Sequence, residues 1–184
     1  MGEPIGGKGV SIDRPTTIDG RHFRRTMGKF ATGVTVLTYR GETETYGMTA
    51  NAFMSLSIDP PMILIAARQQ SRFAAMVRRG DRFGVSFLSE DQQHLSAHFG
   101  GRPNAAVSCD YQDLAGTPVL RMALVQMAVR ADAIHDGGDH KIYIAVVEEM
   151  DEPGRGRPLV FYSGSYKQLH VLDPLHCWHD YSEI

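Results

Sequence analysis

The chain has 184 residues, 42% of them hydrophobic and 22% charged, with a formal net charge of −2. This is the make-up of one globular domain, and at this length folding buries roughly 70% of the unfolded chain's surface. The near-neutral charge argues against a mainly electrostatic nucleic-acid or membrane partner, and no apolar run reaches the ~20 residues of a membrane span.

An apolar signal core is missing at the N-terminus, so the expected location is the cytoplasm. Two cysteines, Cys109 and Cys177, do not make a disulfide framework. Both read as free thiols, Cys109 packed and Cys177 in the tail.

Residues 1–16, rich in Gly and Pro, read as a flexible arm, residues 17–169 as the folded domain and residues 170–184 as a C-terminal tail. Thr17 or Asp19 can cap a helix over Ile18 to Phe30 with a rough apolar face of Ile18, Phe23, Met27 and Phe30. After Thr32-Gly33, the β-branched run Val34 to Tyr39 predicts a strand. A turn at Arg40-Gly41-Glu42 returns the chain through a second strand, Thr45 to Ala50.

The stretch from Tyr46 to Pro61 then carries small and hydroxyl residues up to a Pro-Pro stop. Met62 to Ala67 reads as a buried strand, followed by a short helix from Phe73 capped by Ser71. Arg82 to Leu88 alternates as a strand, and Ser89 caps a helix running to about Phe99. Residues 104–117 look loop-like. Val119 to Ala133 holds one or two strands, Lys141 to Met150 another, and Pro158 to Ser163 the last. About seven strands joined mostly by short turns, with two or three short helices and no βαβ alternation, predict a mainly β fold: an antiparallel barrel with helices at its ends.

Four constellations can carry chemistry. The Gly47 to Pro61 stretch lets backbone groups approach a flat polar ligand, with Asn51 and hydroxyls adding directed hydrogen bonds; the plain alternative is an ordinary strand and loop. Gln69-Gln70-Ser71-Arg72 joins a helix start to a hydroxyl and a cation, which makes a phosphate site or a simple N-cap. Gly137-Gly138-Asp139-His140 is an open turn presenting an imidazole, or an ordinary hairpin. Phe161 to Tyr166 ends a strand in aromatic and hydroxyl groups, and most such aromatics are core. His94 and His98 have i, i+4 spacing that can chelate, and His176-Cys177-Trp178-His179 adds further donors, but sequence places no acidic third ligand nearby and no metal is assigned.

Taken together, five motifs in order resemble the short-chain flavin reductase family, the reductase components of two-component flavin-dependent monooxygenases. They are Phe30-Ala31-Thr32-Gly33-Val34, Gly47 to Phe53, Ser57-Ile58-Asp59-Pro60-Pro61 with Ser71, Gly138-Asp139-His140, and Phe161 to Tyr166. The likeness runs from about residue 20 to residue 169. It implies a split antiparallel β-barrel homodimer that binds FMN or FAD and takes NADH or NADPH.

The resemblance places the isoalloxazine ring against Met48, Thr49, Ala50 and Asn51, with Ser55 nearby. Ala52 stands where the family usually has Ser, so one hydroxyl contact is missing from the pattern. Ribityl and phosphate fall to Ala67, Arg68, Gln69, Ser71 and Arg72 and to the helix end at Phe99. Gly138, Asp139 and His140 go with nicotinamide binding, and Tyr166 is an aromatic near that pocket.

The activity implied is an NAD(P)H:flavin oxidoreductase that supplies reduced flavin to a partner monooxygenase. His140 is then a positioning group and candidate proton donor. No Gly-x-Gly-x-x-Gly fingerprint opens a helix after a strand, which fits a nicotinamide cofactor with no domain of its own. Arg68, Arg72 and Arg102 can each meet a 2′-phosphate and do not choose between NADH and NADPH. The alternative is a non-catalytic flavin- or haem-binding split barrel acting as carrier or sensor, which has no use for a nicotinamide motif.

Overall fold

The computed structural model describes residues 18–169. Helix α1 (Gly20–Met27) is capped by Asp19, whose carboxylate accepts from the His22 N–H at 3.0 Å. Next come β1 (Thr32–Gly33), β2 (Thr35–Arg40), β3 (Thr45–Ala50), β4 (Phe53–Ile58), β5 (Pro61–Arg68), α2 (Arg72–Met76) and β6 (Arg82–Phe87). A 3-10 turn (Glu90–Gln92) leads into α3 (Gln93–Phe99). Strands β7 (Tyr111–Leu114), β8 (Thr117–Leu120), β9 (Val125–Gly137), β10 (His140–Asp151), β11 (Val160–Tyr162) and β12 (Ser165–Lys167) complete the chain.

Seven strands form one antiparallel sheet in the order β3-β2-β6-β9-β10-β5-β4. Its two edges, β3 and β4, are consecutive in the chain and separated only by Asn51-Ala52. The sheet therefore curls back on itself without closing, which makes a split barrel.

Side chains from both halves of the sheet meet in one core: Leu37 and Tyr39 from β2, Ile63 and Ile65 from β5, Val85 from β6, Val129 from β9 and Tyr143 from β10. Phe73 of α2, fully buried, packs edge-on to Tyr39, Phe83 and Tyr143 at 5.1–5.5 Å between ring centres. The Ser71 cap is thus structural as well: its Oγ accepts from the Ala74 N–H at 3.1 Å and starts the short helix that delivers this ring.

A second core lies outside the barrel, where Val34, Val36, Leu88, Leu95, Leu120 and Leu159 pack beneath α3. Strand β2 is buried on both faces because it separates the two cores. Strand β5 behaves differently. Ile63, Ile65 and Ala67 point inward and are buried, whereas Met62, Leu64 and Ala66 face outward and are half-buried.

Several sequence expectations are corrected. The helix predicted over Ile18 to Phe30 is confined to Gly20–Met27, and none of its residues is buried. Phe53–Ile58, in the stretch read as a polar run to a stop, is strand β4 paired with β5. The loop expected over 104–117 contains β7 and the start of β8. A two-residue Ala115-Gly116 turn, both residues at positive φ, closes that hairpin; Ala is a rare residue there, and Pro118 disguises the following strand. Residues 1–17 and 170–184, including the expected arm, the tail and Cys177, lie outside the described residues.

Candidate functional site

A cavity of about 480 Å³ opens between the sheet and α3. Thr49 and Asn51, Arg68 at the end of β5, Ser96, Ala97, Gly100 and Arg102 around the end of α3, and Phe161, Gly164 and Tyr166 of the β11–β12 hairpin line it, with Val34 at the back. Strand periodicity explains the first wall. Successive β3 side chains alternate, so Met48 and Ala50 turn into the barrel core while Gly47 and Thr49 face α3. A Cβ on Gly47 would lie 2.5 Å from the Phe99 ring, so the missing side chain is what lets α3 settle on the strand.

Hydrogen bonds tie the walls together. Thr49 Oγ1 donates to the Ser96 carbonyl at 2.8 Å, and the Ser96 and Tyr166 hydroxyls lie 2.8 Å apart. Ser96 is buried, so its two partners fix both the height of α3 and the position of the Tyr166 ring. Phe161 supports that ring edge-on at 5.5 Å.

Next to the cavity rim, two segments about seventy residues apart are stitched together. Gln69 donates from its backbone N–H to the Asp139 carbonyl at 3.0 Å and from Nε2 to the Gly138 carbonyl at 2.9 Å. His140 opens β10 directly opposite Arg68 on β5. Its Nδ1 lies 2.7 Å from Oδ1 of Asp139. That hydrogen bond, the charge of the imidazole and the nearby Arg68 cation hold the Asp139 carboxyl below its ordinary pKa.

The sequence-predicted residues fall into three sets. Thr49, Asn51, Arg68 and Tyr166 line the cavity. Gln69, Gly138, Asp139 and His140 form the adjoining turn, joined to the cavity through Arg68. Met48, Ala50 and Ala67 send their side chains into the core and have only backbone to offer a ligand; the Ala50 carbonyl already accepts from Thr35. Ser71 caps α2, and the Arg72 guanidinium lies 3.6 Å over the Tyr46 ring centre. Phe99 packs on Gly47 beneath the cavity, and Ser55 lies exposed on β4.

The reading of the residues missed Ser96. A lone serine inside a helix carries no signal beyond its position one turn before Gly100. His94 Nδ1 lies 3.2 Å from the Asp91 carbonyl, and His98 Nδ1 lies 3.1 Å from both the N–H and the carbonyl of Asn104.

Comparison with known proteins decides the family. The model of the flavin reductase like domain matches residues 27–170. The chain belongs to the flavin reductase family. An NADH-dependent flavin reductase of a Rhodococcus species is 37% identical over 156 residues, which covers 82% of this chain and 87% of that protein. The reductase component of 4-hydroxyphenylacetate 3-monooxygenase from Thermus thermophilus is 36% identical over 147 residues, 80% of this chain and 95% of that one. Among solved structures, flavin reductase PheA2 superposes with a TM-score of 0.79 at 37% identity, covering 84% of this chain and all of that one.

The cavity of this flavin reductase family member suits the group the family name implies. Its volume falls in the roughly 300–1,000 Å³ range of small-molecule sites. Among the described residues neither Arg68 nor Arg102 enters an ion pair, which leaves two cations for a phosphate. Asn51 offers a donor and an acceptor to the polar edge of a flat ring.

Proposed function

We propose that this protein is an NADH-dependent flavin reductase that releases reduced FMN or FAD to a partner monooxygenase. The observation that carries this reading is the Gln69 stitch. It holds the Gly138-Asp139-His140 turn against the segment that leads from the cavity, so two ligands can share one site. The activities of the relatives support the same chemistry, and the NADH dependence of the Rhodococcus protein supports the choice of NADH.

A bound flavin would supply the redox chemistry, the capacity to take up a hydride from a reduced nicotinamide. The chain's residues bind and orient. Thr49 and Asn51 would form the polar wall against the flavin ring, while Arg68 and Arg102 would neutralise its phosphate charge. Tyr166, braced by Ser96, closes the opposite side. Asp139 holds the His140 imidazole by Nδ1, which leaves Nε2 available to a second ligand as donor or acceptor.

The protein acts in the cytoplasm as a homodimer, with residues 17–169 as the functional domain. Support for the dimer is the outer face of β4, where Met54 and Leu56 are 52% and 43% exposed beside half-buried Leu64 and Ile144. Such a patch on a single copy marks an interaction surface. No helix among the described residues is long and apolar enough to cross a membrane.

The test is NADH and NADPH oxidation at fixed protein concentration with FMN, FAD or no added flavin. Oxidation that saturates with added flavin, and with a lower KM for NADH, is the expected result. Flavin binding without oxidation of either nicotinamide would leave a carrier and overturn the reading.

A further inference from the structure

We propose that α1 is the docking site for the chain's own C-terminal segment, residues 170–184. Among the described residues, none covers the outer face of α1. All eight of its residues are exposed. Phe23 and Met27, one turn apart, are 56% and 52% exposed, and Ile18 and Phe30 at its two ends are 62% and 74% exposed. A helix this short gains most of its stability by burying an apolar stripe, so this stripe calls for a cover.

Charge selects the cover. Arg21, Arg24, Arg25 and Lys29 flank the stripe, and no acidic residue occurs from Gly20 to Phe30. Asp19, just before the helix, is engaged as its cap. Residues 170–184 carry the opposite pattern: Asp173, Asp180 and Glu183 with no Lys or Arg, interspersed with Leu172, Leu175, Trp178 and Tyr181. Residues 1–17 are a poor match, since Lys8 and Arg14 balance Glu3 and Asp13 and aromatic residues are lacking.

Reach is ample. The segment begins after Leu169, two residues past β12. The β11–β12 turn is itself anchored to the end of α1, where the Ser163 N–H donates to the Gly28 carbonyl at 2.7 Å. Fifteen residues extend to about 50 Å, against a helix about 12 Å long.

Docking would join α1 and the β11–β12 hairpin into one unit. That hairpin carries Gly164 and Tyr166 on the cavity wall, so the segment would brace the site from outside.

Trp178 is the only tryptophan of the chain, so its fluorescence reads this segment alone. The experiment measures acrylamide quenching of Trp178 in the native full-length protein, with the urea-unfolded protein as the fully exposed reference. Quenching several-fold weaker than the reference is expected. It should rise toward the reference in Phe23→Ser and in the triple change Arg21→Glu, Arg24→Glu, Arg25→Glu, and in part at high salt, which screens the charge pairs. The altered side chains are exposed, so circular dichroism should be unchanged.

On the unaltered protein, zero-length carbodiimide coupling should join Lys29 to Asp173, Asp180 or Glu183. In protein refolded from mixed light- and heavy-isotope chains, those links should fall within one chain. Three results would overturn the proposal: Trp178 as accessible as in urea, protection unchanged in both helix variants, or links only between chains. Unchanged protection would place the segment elsewhere, for instance in the cleft lined by Glu90, Gln93, Leu159 and Gln168; links between chains would make a second copy the occupant.

Discussion

At the first position of β10, His140 depends on its neighbour for orientation: Asp139 is 91% exposed at its side chain yet holds Nδ1 at 2.7 Å. Replacing His140 with Ala should raise the KM for NADH or lower kcat while flavin affinity, read by fluorescence titration, stays within a factor of about two, less than 0.5 kcal/mol. Asp139→Asn should move the same parameter in the same direction by less, because the amide still meets the ring but without charge. Identical steady-state kinetics in both variants would remove the turn from the site. The residue types of this turn were legible in the sequence, as were Thr49, Asn51, Arg68 and Tyr166. What the sequence did not reveal was which of the neighbouring positions spend their side chains on the core. Met48, Ala50 and Ala67 do so because a strand sends alternate residues to opposite faces, and the face that looks inward is decided by what packs across it.

Elements meet through a few close approaches, and these predict where a small change will be felt. Gly47 lets Phe99 lie on β3 with no room for a Cβ. Gly47→Ala should push the end of α3 outward and weaken flavin binding by roughly tenfold, about 1.4 kcal/mol, with a lowered Tm; overpacking at such contacts is rarely absorbed. An unchanged flavin Kd would show that α3 does not set the cavity.

A second test concerns the strands β6, β9 and β10, which Glu148 clips together by accepting from Arg82 Nε at 2.6 Å and Arg130 Nε at 2.8 Å. The arginines hold the Glu148 carboxyl below its ordinary value of 4.5. Its folded-state pKa is lowered, so the stabilisation is complete above the unfolded value and is lost as pH falls through the folded one. Glu148→Gln should therefore lower stability at neutral pH by up to about 1 kcal/mol, as expected for exposed pairs, and the gap in urea midpoints should close in acid below that range. A gap that persists or widens in acid would contradict the ion-pair account. Strands with strong β-branched periodicity were readable; β4 and β7 were not, because Ser55, Ser57, Gln112 and Asp113 give them the look of loops until a partner strand supplies the pairing.

For the whole molecule, the surface left open by one copy is as informative as the core. Met54→Asp with Leu56→Asp should convert the proposed dimer into monomers in light scattering and lower flavin turnover, since a charge on this apolar face has no partner to offset its desolvation. A mass unchanged at the dimer value would place the interface elsewhere. Met62 to Ala67 shows why this level was only half legible. Its unbroken apolar run correctly foretold a strand, but a run buried on both sides within one chain and a run with one side reserved for another surface are written alike. By itself the sequence determined the family, the antiparallel β character, the β2–β3 and β9–β10 hairpins, the Ser71 cap and several of the residue types that line the cavity, because those follow from local propensity, spacing and motif order. Only the tertiary structure decided that the sheet curls until β3 and β4 face each other across Asn51-Ala52, that Gln69 reaches the Gly138–His140 turn, and that buried Ser96 braces Tyr166. Those contacts join residues dozens of positions apart, and their geometry comes from the packing of two cores on either side of β2 rather than from any local run of residues.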